Sequence, residues 1–206
     1  MVACASWRIG RRIEESLVSA ATTLAAGPEL DRRVVESVLL RVAQDLAMIT
    51  DREIEMTAGA VERATQRSEG RGRIHISFKL GIQQGDVVHH GCLVIPLPEA
   101  ISLAGYLMMV PDEGVKARRG ATTLDVPTKD ALMEVGNFIG GAFDAAVREI
   151  GVEGVRVRSE GCQGVRAGVR PAFKYEEGAP LVVARSQCRI HTWPAFEALL
   201  MVPPLG

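Results

Sequence analysis

The stretch that most restricts the fold of this chain is DALMEVGNFIGGAFDAAVRE, residues 130–149. Its apolar residues recur at helical spacing, yet it also carries Gly136, Gly140 and Gly141. A glycine in a helix interior costs about 1 kcal/mol relative to alanine. Such residues are retained where another surface comes close to the helix backbone, so we expect a close approach to this helix.

The remaining pattern predicts a second long helix and several strands. Apolar residues repeat at helical spacing from Glu29 to Met48, and residues 73–80 alternate as in a half-buried strand. Gly85-Asp86 then predicts a turn to a second strand at 87–97, which gives a hairpin. Further predicted elements are a helix at 100–109 opened by Pro98-Glu99 and stopped by Pro111, a central helix at about 129–150 capped by Thr128, and strands at 155–158, 164–169 and 181–190. Strands and helices do not alternate regularly, so the predicted class is α+β.

Three segments follow from these boundaries. Residues 1–27 are predicted to form an N-terminal helical appendage that ends at Gly27-Pro28. Residues 28–195 form the main domain, in which 62–73 is a polar loop. Residues 196–206 are predicted to be a C-terminal tail.

Charge and cysteine content exclude several classes of protein. With 24 basic and 25 acidic residues, the net charge of -1 gives no bulk attraction to nucleic acid or to an anionic membrane. The apolar stretch at 17–26 is too short to span a bilayer. Four widely separated cysteines without a CxxC pair indicate reduced thiols, so we expect a cytoplasmic protein.

No metal site is predicted. His90 and Cys92 share one face of a strand, but two such residues are better explained as ordinary strand positions. Asp130, Glu134 and Asp144 lie on one face of the central helix, and magnesium binding there is the weaker alternative.

Four residues of the central helix form a stripe that includes a bare position. At about 100° per residue, Asp130, Glu134, Asn137 and Gly141 fall within an arc of about 60°. The opposite arc is the predicted core face, made of Ala131, Leu132, Val135, Phe138, Ile139, Ala142, Phe143 and Ala146. The stripe is either the solvated side of an amphipathic helix or a site where a partner approaches. Tight packing against a neighbouring element would also explain the glycines.

The spacing Asp130-x3-Glu134-x2-Asn137, followed by glycines and preceded by LVIPLPEAISLAGYLMM, resembles the CheC/CheX/FliY group of chemotaxis phosphatases. The resemblance covers about residues 30–190. It implies a CheC/CheX-like domain with a largely antiparallel sheet and two long helices, one bearing the motif. It also implies hydrolysis of the aspartyl phosphate of a CheY-type response regulator in two-component signalling.

Under this resemblance Asn137 and Glu134 are catalytic, and Asp130, Gly140 and Gly141 belong to the partner-binding surface. Asn137 would orient the attacking water, and Glu134 would contact a lysine of the receiver. The partner is a phosphorylated CheY-like receiver domain that carries its own Mg²⁺, so no cofactor is expected on this chain. Homodimer formation is left open. The alternative function is a non-catalytic receiver-binding module related to flagellar-switch proteins.

The sequence departs from the family pattern in two ways. CheC-like members carry two motif helices, whereas the other candidate here, PEAISLAGYLMM, lacks Glu and Asn at the matching spacing. The chain therefore looks closest to the single-site CheX-like members. The family also places a proline some two dozen residues past the asparagine, where this chain has Glu160; the nearest later proline is Pro171.

Overall fold

Two long helices and a six-stranded sheet make up most of the computed structural model, which describes residues 27–205. The elements are α1 (Pro28–Thr50), β1 (Ile54–Ala64), β2 (His75–Gln84), β3 (Val87–Pro96), α2 (Leu97–Leu107), α3 (Asp112–Arg118), α4 (Val126–Glu149), β4 (Val155–Val165), β5 (Leu181–Ile190) and β6 (Phe196–Val202). The predicted α+β class is confirmed. The appendage predicted for residues 1–27 lies outside the described residues, apart from Gly27, which precedes α1.

The sheet is antiparallel throughout, in the order β1-β5-β6-β3-β2-β4. The predicted hairpin is β2 and β3, which pair from His75 opposite Pro96 to Gln84 opposite Val87. Its turn is at Gly85-Asp86, as the sequence indicates. The expectation of a largely antiparallel sheet with two long helices is therefore confirmed.

The helices cover one face of the sheet and form the main core with it. Alternate residues of each strand point to this face, as Ile76, Phe78, Leu80 and Ile82 of β2 do. The other face holds a smaller apolar cluster of Cys92, Val94, Leu181, Val183, Leu199 and Met201, against which Phe173 and Tyr175 pack. Among residues 27–205, no helix is both long enough and apolar enough to cross a membrane.

Apart from α2 and α3, the elements of residues 27–205 form two similar halves, α1-β1-β2-β3 and α4-β4-β5-β6. Exchanging β1 with β4, β2 with β5 and β3 with β6 simply reverses the strand order, as a two-fold axis through the sheet would. In each half the long helix packs on the edge strand that follows it, and the two long helices pack on each other. The counterpart of α4 is therefore α1, not the PEAISLAGYLMM helix with which the motif was compared in the sequence.

Aligning the buried residues of the two long helices gives their register. When Asp31 is aligned with Thr128, every buried residue of α1 coincides with a buried residue of α4. In this register Asn137 corresponds to Leu40, and Glu134 corresponds to Ser37. The second half of the molecule thus carries the acid and the amide, and the first half does not.

Three predictions about the strands are wrong. Residues 196–206 are not a tail, because β6 pairs with both β5 and β3 in the middle of the sheet. Residues 164–169 are not a separate strand, since β4 runs continuously through Val165. The prediction also lacked β1, which pairs with β5 along the edge of the sheet.

Candidate functional site

The motif helix α4 begins three residues before its predicted start. Asp125 is its N-cap and accepts a hydrogen bond from the backbone N–H of Thr128 at 2.9 Å, with Pro127 in the first turn. Thr128, predicted as the cap, is buried inside the first turn instead. The capping contact also lowers the pKa of the Asp125 carboxyl group. The helix start is thus fixed just ahead of the motif.

Two of the three glycines let α4 lie directly on β4. A Cβ on Gly140 would come within 2.6 Å of the backbone nitrogen of Ser159, and one on Gly136 would be 3.3 Å from the Ser159 hydroxyl. Asp144 adds a hydrogen bond from the Val157 N–H at 2.9 Å. Gly140 was predicted to contact a partner, but it is buried against this chain's own strand. We therefore exclude it from the partner-facing surface.

The other motif residues lie together on the exposed side of α4. Asp130, Glu134, Asn137 and Gly141 are all exposed, and a Cβ on Gly141 would meet no atom within 4 Å. The stripe predicted from helical periodicity therefore exists as a ridge, which we call the motif ridge. It is open to an approaching surface along its whole length.

The acid and the amide on the ridge contact each other. The Asn137 side-chain nitrogen donates to Glu134 Oε2 at 3.3 Å. The Asn137 amide oxygen has no hydrogen-bond partner among residues 27–205. Neither Glu134 nor Asp130 forms an ion pair within the same part of the chain. The ridge thus presents two unneutralised carboxylates and a free amide oxygen.

Two apolar side chains flank the motif ridge. Phe138 was predicted to face the core, but it is 37% exposed on one side of Asn137. Met133 is 43% exposed on the other side, where its sulfur lies 3.7 Å from Cys162 Sγ. The prediction for Phe138 is wrong, and none was made for Met133, because a helical wheel gives the direction of a side chain and not the neighbours that cover it.

The position of the missing family proline is occupied by Glu160, which contacts a histidine. Glu160 Oε2 lies 2.7 Å from His90 Nδ1, on the face of the sheet opposite the helices. Cys92, one candidate partner of His90 in a metal site, is fully buried, and burial raises the pKa of its thiol to about 12. In the described part of the chain, no three His, Cys, Asp or Glu residues are grouped to hold a metal ion.

On the aligned face of α1, different side chains occupy the positions of the motif. In the register given above, the α1 residues that correspond to Asp130, Glu134, Asn137 and Gly141 of α4 are Arg33, Ser37, Leu40 and Gln44, in that order. Leu40 is 58% exposed, and the Arg33 guanidinium donates to the carbonyl of Ile150 at 3.2 Å. Residues 27–205 therefore contain one motif ridge and one related surface without the motif.

Comparison with known proteins identifies the fold. Thermotoga maritima FliY matches with a TM-score of 0.67 and 13% identity, covering 85% of this chain and 89% of FliY. The FliG–FliM complex of H. pylori matches with a TM-score of 0.60 and 10% identity, over 84% of this chain and 90% of that chain. CheX of Desulfovibrio desulfuricans matches with a TM-score of 0.53 and 15% identity, covering 81% of this chain and 97% of CheX.

These matches define the class by its fold, an α+β domain found in chemotaxis proteins and in FliM. Within that class, this chain has the fold of FliY, CheX, CheC-like proteins and FliM, which confirms the fold implied by the motif resemblance. No protein-family model matches the sequence, and no curated protein matches it.

Proposed function

We propose that this chain accelerates hydrolysis of the aspartyl phosphate of a CheY-like receiver domain. The observation that carries the proposal is the exposed Asn137 amide, held beside Glu134 on a ridge where Gly141 leaves room for another protein. The fold is one in which chemotaxis proteins and a FliG–FliM complex are found. The partner would be a cytoplasmic receiver, so we propose a cytoplasmic role.

An amide suffices for this reaction because the receiver brings the reactive group with it. The acyl phosphate and the Mg²⁺ that neutralises it belong to the receiver, and no covalent step on this chain is needed. The Asn137 amide oxygen accepts a hydrogen bond from water and places it in line with the phosphorus atom. A carboxylate at this position would instead repel the phosphoryl oxygens.

Glu134 and Asp130 are proposed to position the receiver. Glu134 forms a charge-assisted hydrogen bond with a lysine of the receiver, which fixes the angle at which Asn137 meets the phosphate. Asp130, near the start of α4, lies at the rim of the contact. The absence of intramolecular ion pairs for either acid in residues 27–205 supports this role, since both charges are available to a partner.

The alternative is a receiver-binding module without catalysis. The similarity to FliM and its complex with FliG favours it, because this fold can serve in protein assembly. The exposed acid and amide on α4 favour the phosphatase. Both functions use the motif ridge, so they differ only in what Asn137 does once the receiver is bound.

Substitution of Asn137 separates the two functions. Receivers from the same organism are phosphorylated with labelled acetyl phosphate, and loss of label is followed with wild-type protein and with Asn137→Ala. We expect the variant to hydrolyse about 100-fold or more slowly, because a positioning group is lost. Complex formation, measured with a non-hydrolysable phosphate mimic on the receiver, should be retained.

The aligned helix provides a matched control. Leu40 is the residue of α1 that corresponds to Asn137, and Leu40→Ala should leave the rate of hydrolysis unchanged. Wild-type protein that binds a receiver but does not shorten its phosphorylated lifetime would establish the binding module instead. Wild-type protein that binds no receiver in the panel would exclude both functions.

A further inference from the structure

A polar cavity opens on the face of the sheet that the helices leave uncovered. It has a volume of ≈ 250 Å³ and is lined in part by Arg71, Arg73, His75, Pro96 and Glu197. None of the motif residues on α4 lines it. Any ligand of this cavity would therefore bind independently of the proposed receiver site.

His75 provides a buried polar group in the wall of the cavity. Its side chain is only 4% exposed, and its ring lies so close to the loop backbone that a Cβ on Gly70 would be 2.5 Å from its Cε1 atom. Burial is the main cause that lowers the pKa of His75; a hydrogen bond with the Arg73 backbone opposes this shift, and the charge of Arg73 adds to it. Within residues 27–205 the imidazole has no side-chain partner. Its hydrogen bond with the Arg73 backbone uses one ring nitrogen, so the other is without a partner in this part of the chain.

The carboxylates near His75 are already neutralised by arginines. Glu197 accepts from Arg185 at 2.7 Å and lies 3.3 Å from Arg71. Glu99, the other acid whose charge acts on His75, accepts from Arg119 at 2.8 Å.

Arg73 remains as a cation without an ion-pair partner in residues 27–205. Of the charged residues that line the cavity, two are arginines, Arg71 and Arg73, and one is an acid, Glu197, which Arg185 already pairs. The local excess of positive charge favours an anion over a cation.

We propose that this cavity binds a small oxyanion, either inorganic phosphate or the carboxylate of a small organic acid. Arg73 and Arg71 supply charge-assisted hydrogen bonds from the open side, and the neutral ring of His75 forms part of the buried wall. The volume suits such a ligand, because a water molecule in the liquid occupies about 30 Å³ and the cavity holds several. Part of an organic acid beyond its carboxylate also fits.

The test is a titration of the full chain with sodium phosphate and, separately, with sodium acetate, at constant ionic strength maintained with chloride. The imidazole resonances of His75 and the melting temperature are followed. We expect saturable binding of at least one anion with a dissociation constant on the order of 1 mM. Binding of phosphate would identify inorganic phosphate as the ligand of the cavity, and binding of acetate would identify the carboxylate of a small organic acid.

Variants distinguish the cavity from general salt effects. Arg73→Gln should weaken binding at least 10-fold, because it removes the unpaired charge and leaves the buried residues intact. Arg166→Gln removes an exposed arginine outside the cavity and should bind as wild type does. The melting temperature in chloride alone verifies that each variant is folded, and Arg71→Gln replaces Arg73→Gln if the latter is not.

The proposal is overturned if neither anion shows saturation up to about 20 mM, well above the expected dissociation constant. It is also overturned if the arginine variant binds as tightly as wild type. Neither outcome affects the receiver phosphatase, which is measured on a different surface with a different substrate.

Discussion

The Asn137 side-chain nitrogen lies 3.3 Å from a carboxylate oxygen of Glu134, one turn earlier on α4. Both side chains are exposed, and a contact of this kind between neighbouring turns stabilises a helix by only about 0.2–0.5 kcal/mol. The contact therefore orients the amide in the free protein. It is also weak enough to be exchanged for contacts with a partner at little cost.

The first prediction concerns the charge of Glu134. Glu134→Gln retains a hydrogen-bond acceptor but removes the charge that would meet the receiver's lysine, so we expect KM for the phosphorylated receiver to rise about 10-fold. The kcat value should change little, because Asn137 is intact. Steady-state hydrolysis at two salt concentrations measures this, since the wild-type KM should rise with salt more than that of the variant. A fall in kcat with unchanged KM would contradict a positioning role.

The second prediction uses the adjacent glycines of α4. Gly140→Ala should destabilise the protein by about 1–3 kcal/mol, because the new methyl group meets the backbone of Ser159 and β4 must move. Gly141→Ala places its methyl group in open space, so it should be neutral or stabilising by up to about 1 kcal/mol. Urea unfolding of both variants gives the comparison. Equal effects at the two positions would show that α4 does not pack on β4 through Gly140.

The third prediction concerns the ion pair that joins α1 to β1. Asp31 is 4% exposed, and both its oxygens accept from Arg63, at 2.5 and 3.2 Å. Arg63→Met leaves this buried carboxylate without its partner, so we expect a loss of about 2–4 kcal/mol, below the largest values because Arg63 is partly exposed. The control Arg32→Met breaks the exposed contact with Glu36 and should cost less than about 0.5 kcal/mol. The denaturant midpoints of the two variants measure these losses, and equal midpoints would contradict the prediction.

The fourth prediction is a pH dependence of stability due to His75. The folded protein lowers the pKa of this imidazole below its ordinary value of 6.5. At pH values below 6.5 the unfolded chain therefore binds a proton that the folded chain does not, and stability falls as the pH falls. The contribution to the slope cannot exceed about 1.4 kcal/mol per pH unit.

Urea unfolding at pH 7.5 and 5.5, in a buffer without phosphate or carboxylate, checks this dependence. His75→Asn should show a smaller fall in stability between the two pH values. An equal fall in the variant would assign the dependence to other groups.

Helical periodicity in the sequence was sufficient to predict both long helices, because α1 and α4 each bury one continuous stripe. The strands were harder to predict from the sequence. In β6 nearly every residue is apolar and buried, so no alternation distinguishes it from a packed tail. In β1 the second half is mostly exposed, so its apolar pattern is weak. Each strand owes its place to a partner distant in sequence, which is β5 for β1 and β3 for β6.

The candidate site shows the same division between local and distant information. The spacing of Asp130, Glu134 and Asn137 places them on one side of any helix, so their common exposure followed from the sequence. The different surroundings of Gly140 and Gly141 did not, since neighbouring residues on a helix point about 100° apart. Only the position of β4 shows which glycine is covered. The exposure of Phe138 likewise depends on where the neighbouring elements stop.

The interleaving of the two halves also bears on how the chain is made. Within the sheet, β1 pairs only with β5, and β3 reaches it only through β6. An emerging chain on the ribosome therefore cannot join β1 to the sheet until residues 181–202 have been synthesised. Until then the apolar side of α1 is not fully covered by the sheet, and a nascent chain of this kind depends on protection from aggregation until β5 and β6 have emerged.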